Sequence, residues 1–290
     1  MTDLLNDSRI SRIIQEALSE DIGLGDITTE SIVESDILGD AELLVKETGV
    51  IAGLGLASLV FQFVDPEITF KKTTNDGAYI QAGTVAGSIA GPLTSILKAE
   101  RTALNFLQRM SGIATLTRQF VGAVAGTRAK ITDTRKTAPG MRLLDKLAVK
   151  IGGGVNHRYG LDDMVLIKDN HIEAAGGISK AIEKCLNYLN ASSLKLKIEV
   201  ETKNLDEIRE ALKFPGIHRV MLDNFAVNEM TKAVVLISGR VEVEASGNVN
   251  LHNVLEIAET GVDYISIGAL THSVRSLDIS LNVKTRLTSK

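Results

Sequence analysis

The chain has 290 residues, 44% of them apolar and 23% charged, and its net charge is −4. This is the balance of a globular protein with an ordinary core, and its acidity argues against nucleic acid as the main partner. A single cysteine, Cys185, excludes an internal disulfide, and no apolar run reaches the ~18 residues that a membrane span needs.

The first 21 residues, MTDLLNDSRISRIIQEALSED, have no apolar stretch behind a basic start. They read as an amphipathic helix and not as a signal peptide, which places the chain in the cytoplasm. From about Ile37 to Ile96 apolar and polar residues alternate and break at Gly-rich turns, Asn75-Asp76-Gly77 among them, so short strands are expected. KAERTALNFLQRMSGIATLTRQFVGAV then predicts a long helix. Leu104, Phe106 and Leu107 mark its apolar face, with Arg101, Asn105 and Arg109 off it. These elements make a small α+β domain. Cys185 falls at helical spacing with Ile178, Ile182, Leu186 and Leu189, the setting of a buried thiol and not of a nucleophile.

Beyond Lys130 apolar strands alternate with helical segments: KITD, DMVLIKD, LKIEVET, RVMLDNF, VEVEASG and DYISIG. The last four centres lie 22 or 23 residues apart, the length of a compact strand-helix unit, so parallel pairing and a barrel are expected. The tail SVRSLDISLNVKTRL alternates again at Leu277, Ile279, Leu281 and Val283, as a strand returning to the first domain would.

Each barrel strand ends in a polar residue or glycine, and the C-terminal rim of a parallel barrel is where active sites form. The segment from Asp133 to Lys168 holds seven Lys/Arg against four Asp/Glu, +3 within an acidic chain. Such a run is often only a solvated face, but here Thr134, Arg135, Lys136 and Lys168 stand at strand ends, with His157 and Arg158 between them. Arginine suits bidentate carboxylate or phosphate recognition and lysine supplies a point charge, so these residues form an anion pocket. Gly152-Gly153-Gly154 lets a loop fold tightly or approach a ligand. Ser246-Gly247-Asn248 and Gly268-Ala269 follow the last two strands, where backbone N–H groups of barrel loops bind phosphate. Glu201 and Asp223 end the middle strands. They could serve as an acid/base pair, bind ribose hydroxyls, hold a divalent cation carried on phosphates, or pair with the arginines. No HExxH, CxxC, GxSxG or P-loop pattern occurs.

At this point the motifs EDIGLGDITT, ERTALNFLQRMSGIATLT, DTRKTAPGMR, GGGVNHRYGLDDMVLIKDNHI, IEVET, MLDNF, EASGN and GVDYISIGALTHSVRSLDISL fall in one order along nearly the whole chain. In them the sequence resembles quinolinate phosphoribosyltransferase, the family of carboxylating nicotinate-nucleotide pyrophosphorylases. Two positions depart from its common pattern: Asn248 stands where many members have Gly, and Ala138 where Thr is common.

The resemblance implies an N-terminal α/β sandwich domain (1–112, joined by the tail 276–290) and a C-terminal parallel α/β barrel with fewer than eight strands (113–275). It implies a pentosyltransferase that joins quinolinate to 5-phosphoribosyl-1-pyrophosphate with Mg²⁺, giving nicotinate mononucleotide, pyrophosphate and CO₂ for de novo NAD synthesis. It implies a homodimer or larger assembly in which Arg101 reaches the barrel of the other copy. Arg101, Arg135, His157, Arg158 and Lys168 would then hold the two carboxylates of quinolinate, while Lys136 reaches phosphate. Thr134, Ser246, Gly247, Asn248, Gly268 and Ala269 would bind the donor. Glu201 and Asp223 would face its ribose, its Mg²⁺-bound pyrophosphate and the positive charge developing at C1, making them catalytic with Lys136 and Lys168. Three rivals stand beside this reading: a relative acting on another pyridine carboxylate, a Schiff-base lyase using Lys168, and an anion-binding module without turnover.

Overall fold

The computed structural model describes residues 7–285. The described residues divide into two compact units, one of residues 7–118, 137–153 and 273–285, the other of residues 119–136 and 154–272.

The first unit begins with helix α1 (Ser8–Ile22), capped by the Asp7 carboxylate, which accepts from the Arg9 N–H. Ile10, Ile14 and Leu18, one turn apart, are its buried stripe. The first six residues of the expected helix lie outside the described residues. After α2 (Ile27–Ile32) come β1 (Leu38–Val45), β2 (Gly49–Val50), α3 (Leu54–Val64), β3 (Thr69–Lys72), β4 (Tyr79–Ile80) and β5 (Val85–Pro92). Ala41, Leu43 and Val45 are buried on β1 and alternate with less buried positions, which is the period of a strand with one covered face. The expected Asn75-Asp76-Gly77 turn also anchors a helix. Asp76 Oδ1 accepts from the N–H groups of Gly53 and Leu54 and so caps α3. Phe61 of α3 packs against Phe70 of β3 with ring centroids 6.0 Å apart. The four-stranded antiparallel sheet has the order β12-β1-β5-β3, and the expected return strand is β12 (Ile279–Thr285), with Leu281 opposite Leu43.

The long helix is α4 (Leu93–Ala123). Leu104, Phe106 and Leu107 are buried, Arg101 and Asn105 exposed. Arg109 is only partly exposed and forms a two-pronged ion pair, both contacts 2.8 Å, with the fully buried Asp145 of α5 (Arg142–Ile151). The glycine run after α5 is explained by tight folding. A Cβ on Gly152 would lie 2.6 Å from the Ala114 carbonyl oxygen of α4, and Gly153 has φ +98°.

The second unit holds β6 (Lys130–Thr132), β7 (Val165–Ile167), α6 (Asp169–Ala175), α7 (Ile178–Ala191), β8 (Ile198–Thr202), α8 (Leu205–Ala211), β9 (Arg219–Asp223), α9 (Val227–Ile237), β10 (Glu242–Ser246), α10 (Val254–Glu259), β11 (Tyr264–Ser266) and α11 (Ala269–His272). All six strands pair in parallel in the order β6-β11-β10-β9-β8-β7, so all end on one rim. This is the expected α/β architecture with six strands. Among the described residues the ladder does not close between β6 and β7, and Val155 instead bridges to Thr132. Cys185 departs from the buried thiol expected of it. It is half-buried, and burial by its surroundings pushes its thiol pKa up.

Candidate active site

The shared rim brings the expected residues of the second unit together. Thr134, Arg135, Lys136, His157, Arg158, Lys168, Glu201, Asp223 and Ser246 line one cavity of about 270 Å³, with Leu166, Met221, Glu244 and Ser266 completing its wall. Beside it a cavity of about 560 Å³ is lined by Gly247, Asn248, Gly268 and Ala269, together with Asn224, Val249, Ile267 and His272. Thr134, Lys136, Asp223, Ser246 and Ser266 line both cavities. The second contains the two glycine-bearing loops, and the first contains the cations. Arg101 belongs to the first unit, on α4.

The cations crowd each other. Burial first, and then the like charge of Arg135, lower the pKa of Arg158, whose Nη1–H donates to the Met164 carbonyl at 3.1 Å. Two guanidinium groups held this way favour an anion between them. Burial, then the charge of Asp223, raises the pKa of Glu201. Neither Glu201 nor Asp223 pairs with an arginine among the described residues, and both line the cavity.

The second cavity is built by backbone. Asn224 and Asn248 both adopt left-handed conformations, with φ +56° and +52°, and Gly247 has φ +98°. Asn248 Nδ2–H donates to Asn224 Oδ1 at 3.0 Å, and Asn224 Nδ2–H donates to Asp223 Oδ2 at 3.0 Å. Across the site, Thr271 Oγ1–H donates to the Lys136 carbonyl at 2.8 Å, and a Cβ on Gly268 would stand 3.0 Å from Lys136 Cδ. A Cβ on Gly247 would stand 2.2 Å from Asn224 Oδ1. Gly247→Ala is therefore expected to break the asparagine pair. It should raise KM for a phosphorylated substrate about tenfold or more, since a lost contact of ~1.4 kcal/mol gives that factor. Binding to the cationic cavity, read by calorimetry, should be unchanged.

The sequence reading missed Glu199, Glu244 and Arg219. Glu199 and Glu244 are fully buried, and the histidine ring lies close to both: His157 Nε2 stands 2.8 Å from Glu199 Oε2 and 3.5 Å from Glu244 Oε2. Arg219 Nη1–H donates to Glu244 Oε2 at 2.8 Å. Burial raises both glutamate pKa values, and for Glu244 the Glu199 charge adds to it. The signal was available: Glu199 is two residues before Glu201 and Glu244 two before Ser246, so the strand period puts each on the same face as a rim residue.

A parallel six-stranded α/β unit with adjoining cationic and glycine-lined cavities at its strand ends is the frame of an enzyme acting on small charged molecules. Residues 26–111 match the model of the quinolinate phosphoribosyl transferase N-terminal domain, and residues 113–282 that of its C-terminal domain. The chain belongs to this family. It is 48% identical over 293 residues to quinolinate phosphoribosyltransferase (decarboxylating) 2, mitochondrial, of Nicotiana glauca, covering 96% of this chain and 83% of that protein. It is 47% identical over 293 residues to the chloroplastic nicotinate-nucleotide pyrophosphorylase (carboxylating) of Arabidopsis thaliana, covering 96% and 84%. The solved structure of the nicotinate-nucleotide pyrophosphorylase from Francisella tularensis superposes with a TM-score of 0.88 at 39% identity, covering 96% of each chain.

Proposed function

We propose that the chain transfers the phosphoribosyl group of 5-phosphoribosyl-1-pyrophosphate to the ring nitrogen of quinolinate and removes the C2 carboxylate, giving nicotinate mononucleotide, pyrophosphate and CO₂. The observation that carries this is the pair of adjoining cavities, one cationic and one glycine-lined, with Lys136, Asp223 and Ser246 on the wall of both. A pyridine dicarboxylate fits the first, a sugar phosphate the second, and the bond between them forms where the two meet. Arg135, His157, Arg158 and Lys168 hold the acid; Thr134, Ser246, Gly247, Asn248, Gly268 and Ala269 hold the donor. Pyrophosphate release, measured in turn with quinolinate, nicotinate and nicotinamide, tests the assignment. Activity on quinolinate alone supports it, and equal activity on another of the three overturns it.

Mg²⁺ fits the donor set. Glu201 and Asp223 offer hard carboxylate oxygens in the first cavity, and such an ion takes one or two carboxylates plus phosphate oxygens. Bound there, it would neutralise the leaving pyrophosphate. The carboxylates themselves stabilise positive charge developing at C1 of the ribose, while the cations orient the ring nitrogen for attack. Because quinolinate is itself an anion, Glu201→Ala and Asp223→Ala should lower kcat strongly and leave quinolinate binding to the free enzyme intact or slightly tighter. Arg158→Ala should weaken that binding. Calorimetric titration without donor checks this division, and equal losses in all three variants would sink it.

Assembly belongs to the same proposal. Arg101 is exposed on α4, and the first unit also exposes Leu24, Ile27 and Ile32, at 109%, 82% and 75%. Exposed apolar side chains of that kind suit a homodimer or larger assembly that lends Arg101 to another copy's barrel. Cytoplasmic action is also proposed. Among the described residues no helix is long and apolar enough to cross a membrane, whereas the two plant relatives are named for mitochondria and chloroplasts. Fractionation of the native cell decides between these locations.

A further inference from the structure

Four residues other than glycine take left-handed backbone conformations among the described residues. Ser193 and Ser238 stand at the C-terminal ends of α7 and α9, where helices commonly stop this way. Asn224 and Asn248 end no helix. They stand side by side on the wall of the second cavity, in the loops that follow β9 and β10.

The backbone N–H of Asn224 fixes its turn by donating to the Ser246 carbonyl at 2.9 Å. Its side chain is then held from three directions. Nδ2–H donates to Asp223 Oδ2 at 3.0 Å, and Oδ1 accepts from Asn248 Nδ2–H at 3.0 Å. Gly247 forms the third side. A Cβ there would lie 2.2 Å from Asn224 Oδ1 and 2.6 Å from its Cγ, so the amide lies against bare backbone. The direction of these bonds follows from their inner end. An ionised carboxylate only accepts, so Asn224 presents its NH₂ to Asp223 and its carbonyl to Asn248. Asn248 is anchored in turn. Its own carbonyl accepts from Asn253 Nδ2–H at 3.1 Å and from Asn250 Nδ2–H at 3.4 Å, in the loop before α10.

Asp223 gains a fixed orientation from this. The terminal torsion of an aspartate is broad, and an amide holding one oxygen narrows it. Asp223 lines both cavities. A carboxylate there acts on charge that develops at C1 only during transfer, and such help depends on a group already in place. Both asparagine bonds are solvent-exposed, so a donor covering them would strengthen them by excluding water.

We propose that Asn224 is a positioning residue for phosphoribosyl transfer: its amide aims the Asp223 carboxylate and, through Asn248, joins it to the loop that would hold the donor's phosphate. The inference rests on the donor site proposed above.

The test uses full-length protein and three variants that keep the left-handed turns, since Gly, Asn and Asp all tolerate them. Asn224→Asp keeps the shape and can still accept from Asn248, but it cannot donate to Asp223. Asn224→Gly loses both bonds, and Asn248→Gly only the outer one. Steady-state pyrophosphate release from quinolinate gives kcat and the KM for donor. Calorimetric titration of quinolinate without donor reads the first cavity. Asn224→Asp and Asn224→Gly should each lower kcat about tenfold or more, the factor for a lost hydrogen bond to a charged group, and Asn248→Gly should lower it by about two- to fivefold. Quinolinate binding to the Asn224→Gly protein should be unchanged, because Asn224 lines the second cavity and not the cationic one. A residue that only shapes the loop gives the opposite pattern. Asn224→Asp would then keep kcat near the unaltered value, with any loss confined to the KM for donor, and that result would overturn the proposal. Lost quinolinate binding in Asn224→Gly would overturn it as well, since it would mark a general collapse of the rim. Asn224→Asp carries the test if Asn224→Gly does not fold. Unaltered protein that releases no pyrophosphate from quinolinate would instead overturn the reaction itself, and this inference with it.

Discussion

Arg101→Ala should remove nearly all activity while each subunit stays folded. Arg101 is exposed on α4, and among the described residues no carboxylate pairs with it, so the fold does not depend on its charge. If it meets a quinolinate carboxylate, its loss leaves a buried anion short of a cation, which costs about 2–5 kcal/mol, or roughly 30- to several-thousand-fold in kcat/KM. Its donation to another copy is checked by mixing. An Arg101→Ala subunit and a Lys168→Ala subunit are each inactive alone. Paired at random in symmetric dimers, half of the dimers are mixed and each has one intact site, so about a quarter of all sites should recover, rising to about half if mixed pairs are isolated. No recovery in verified mixed dimers would count against a shared site.

Nicotinate should be a very poor substrate for the same physical reason. It has the ring nitrogen and one carboxylate but no group at C2. The cations that would meet the missing carboxylate come from the set of Arg135, His157, Arg158 and Lys168, all on the wall of one cavity. A cation left facing an empty, partly desolvated position costs about 2–5 kcal/mol, so kcat/KM should fall by a comparable 30- to several-thousand-fold. Nicotinamide, with no carboxylate, should fall further. Steady-state pyrophosphate release with each compound measures this, and comparable values for nicotinate and quinolinate would refute the reading of the cavity as a dicarboxylate site.

The strands of the second unit were legible because parallel strands covered on both faces read as short apolar runs. KIT, VLI, IEVET, RVMLD, EVEAS and YIS all lie within the segments expected from sequence. Their polar ends were legible for the same reason, since a charge closing an apolar run stands out. Barrel closure was not legible, because periodicity fixes neither the strand count nor the pairing of the end strands. The glutamates behind His157 went unread for another reason. In IEVET and VEVEAS they sit inside the strand, where an acidic residue looks like the exposed half of an alternation. The strand period does put them on the faces of Glu201 and Ser246, and the three-dimensional sheet shows both fully buried while Glu242 stays partly exposed. Asp76 was legible as a turn residue but not as the cap of α3, because its partners, Gly53 and Leu54, lie more than twenty positions earlier.

The most direct measurement of the central claim uses quinolinate labelled in its C2 carboxylate, with 5-phosphoribosyl-1-pyrophosphate and Mg²⁺. If the cationic cavity holds the acid and the glycine-lined cavity holds the donor, each turnover should release labelled CO₂ and pyrophosphate in equal amounts, with nicotinate mononucleotide as the only pyridine product. Pyrophosphate released without labelled CO₂, or no turnover with quinolinate while another pyridine carboxylate reacts, would contradict the assignment.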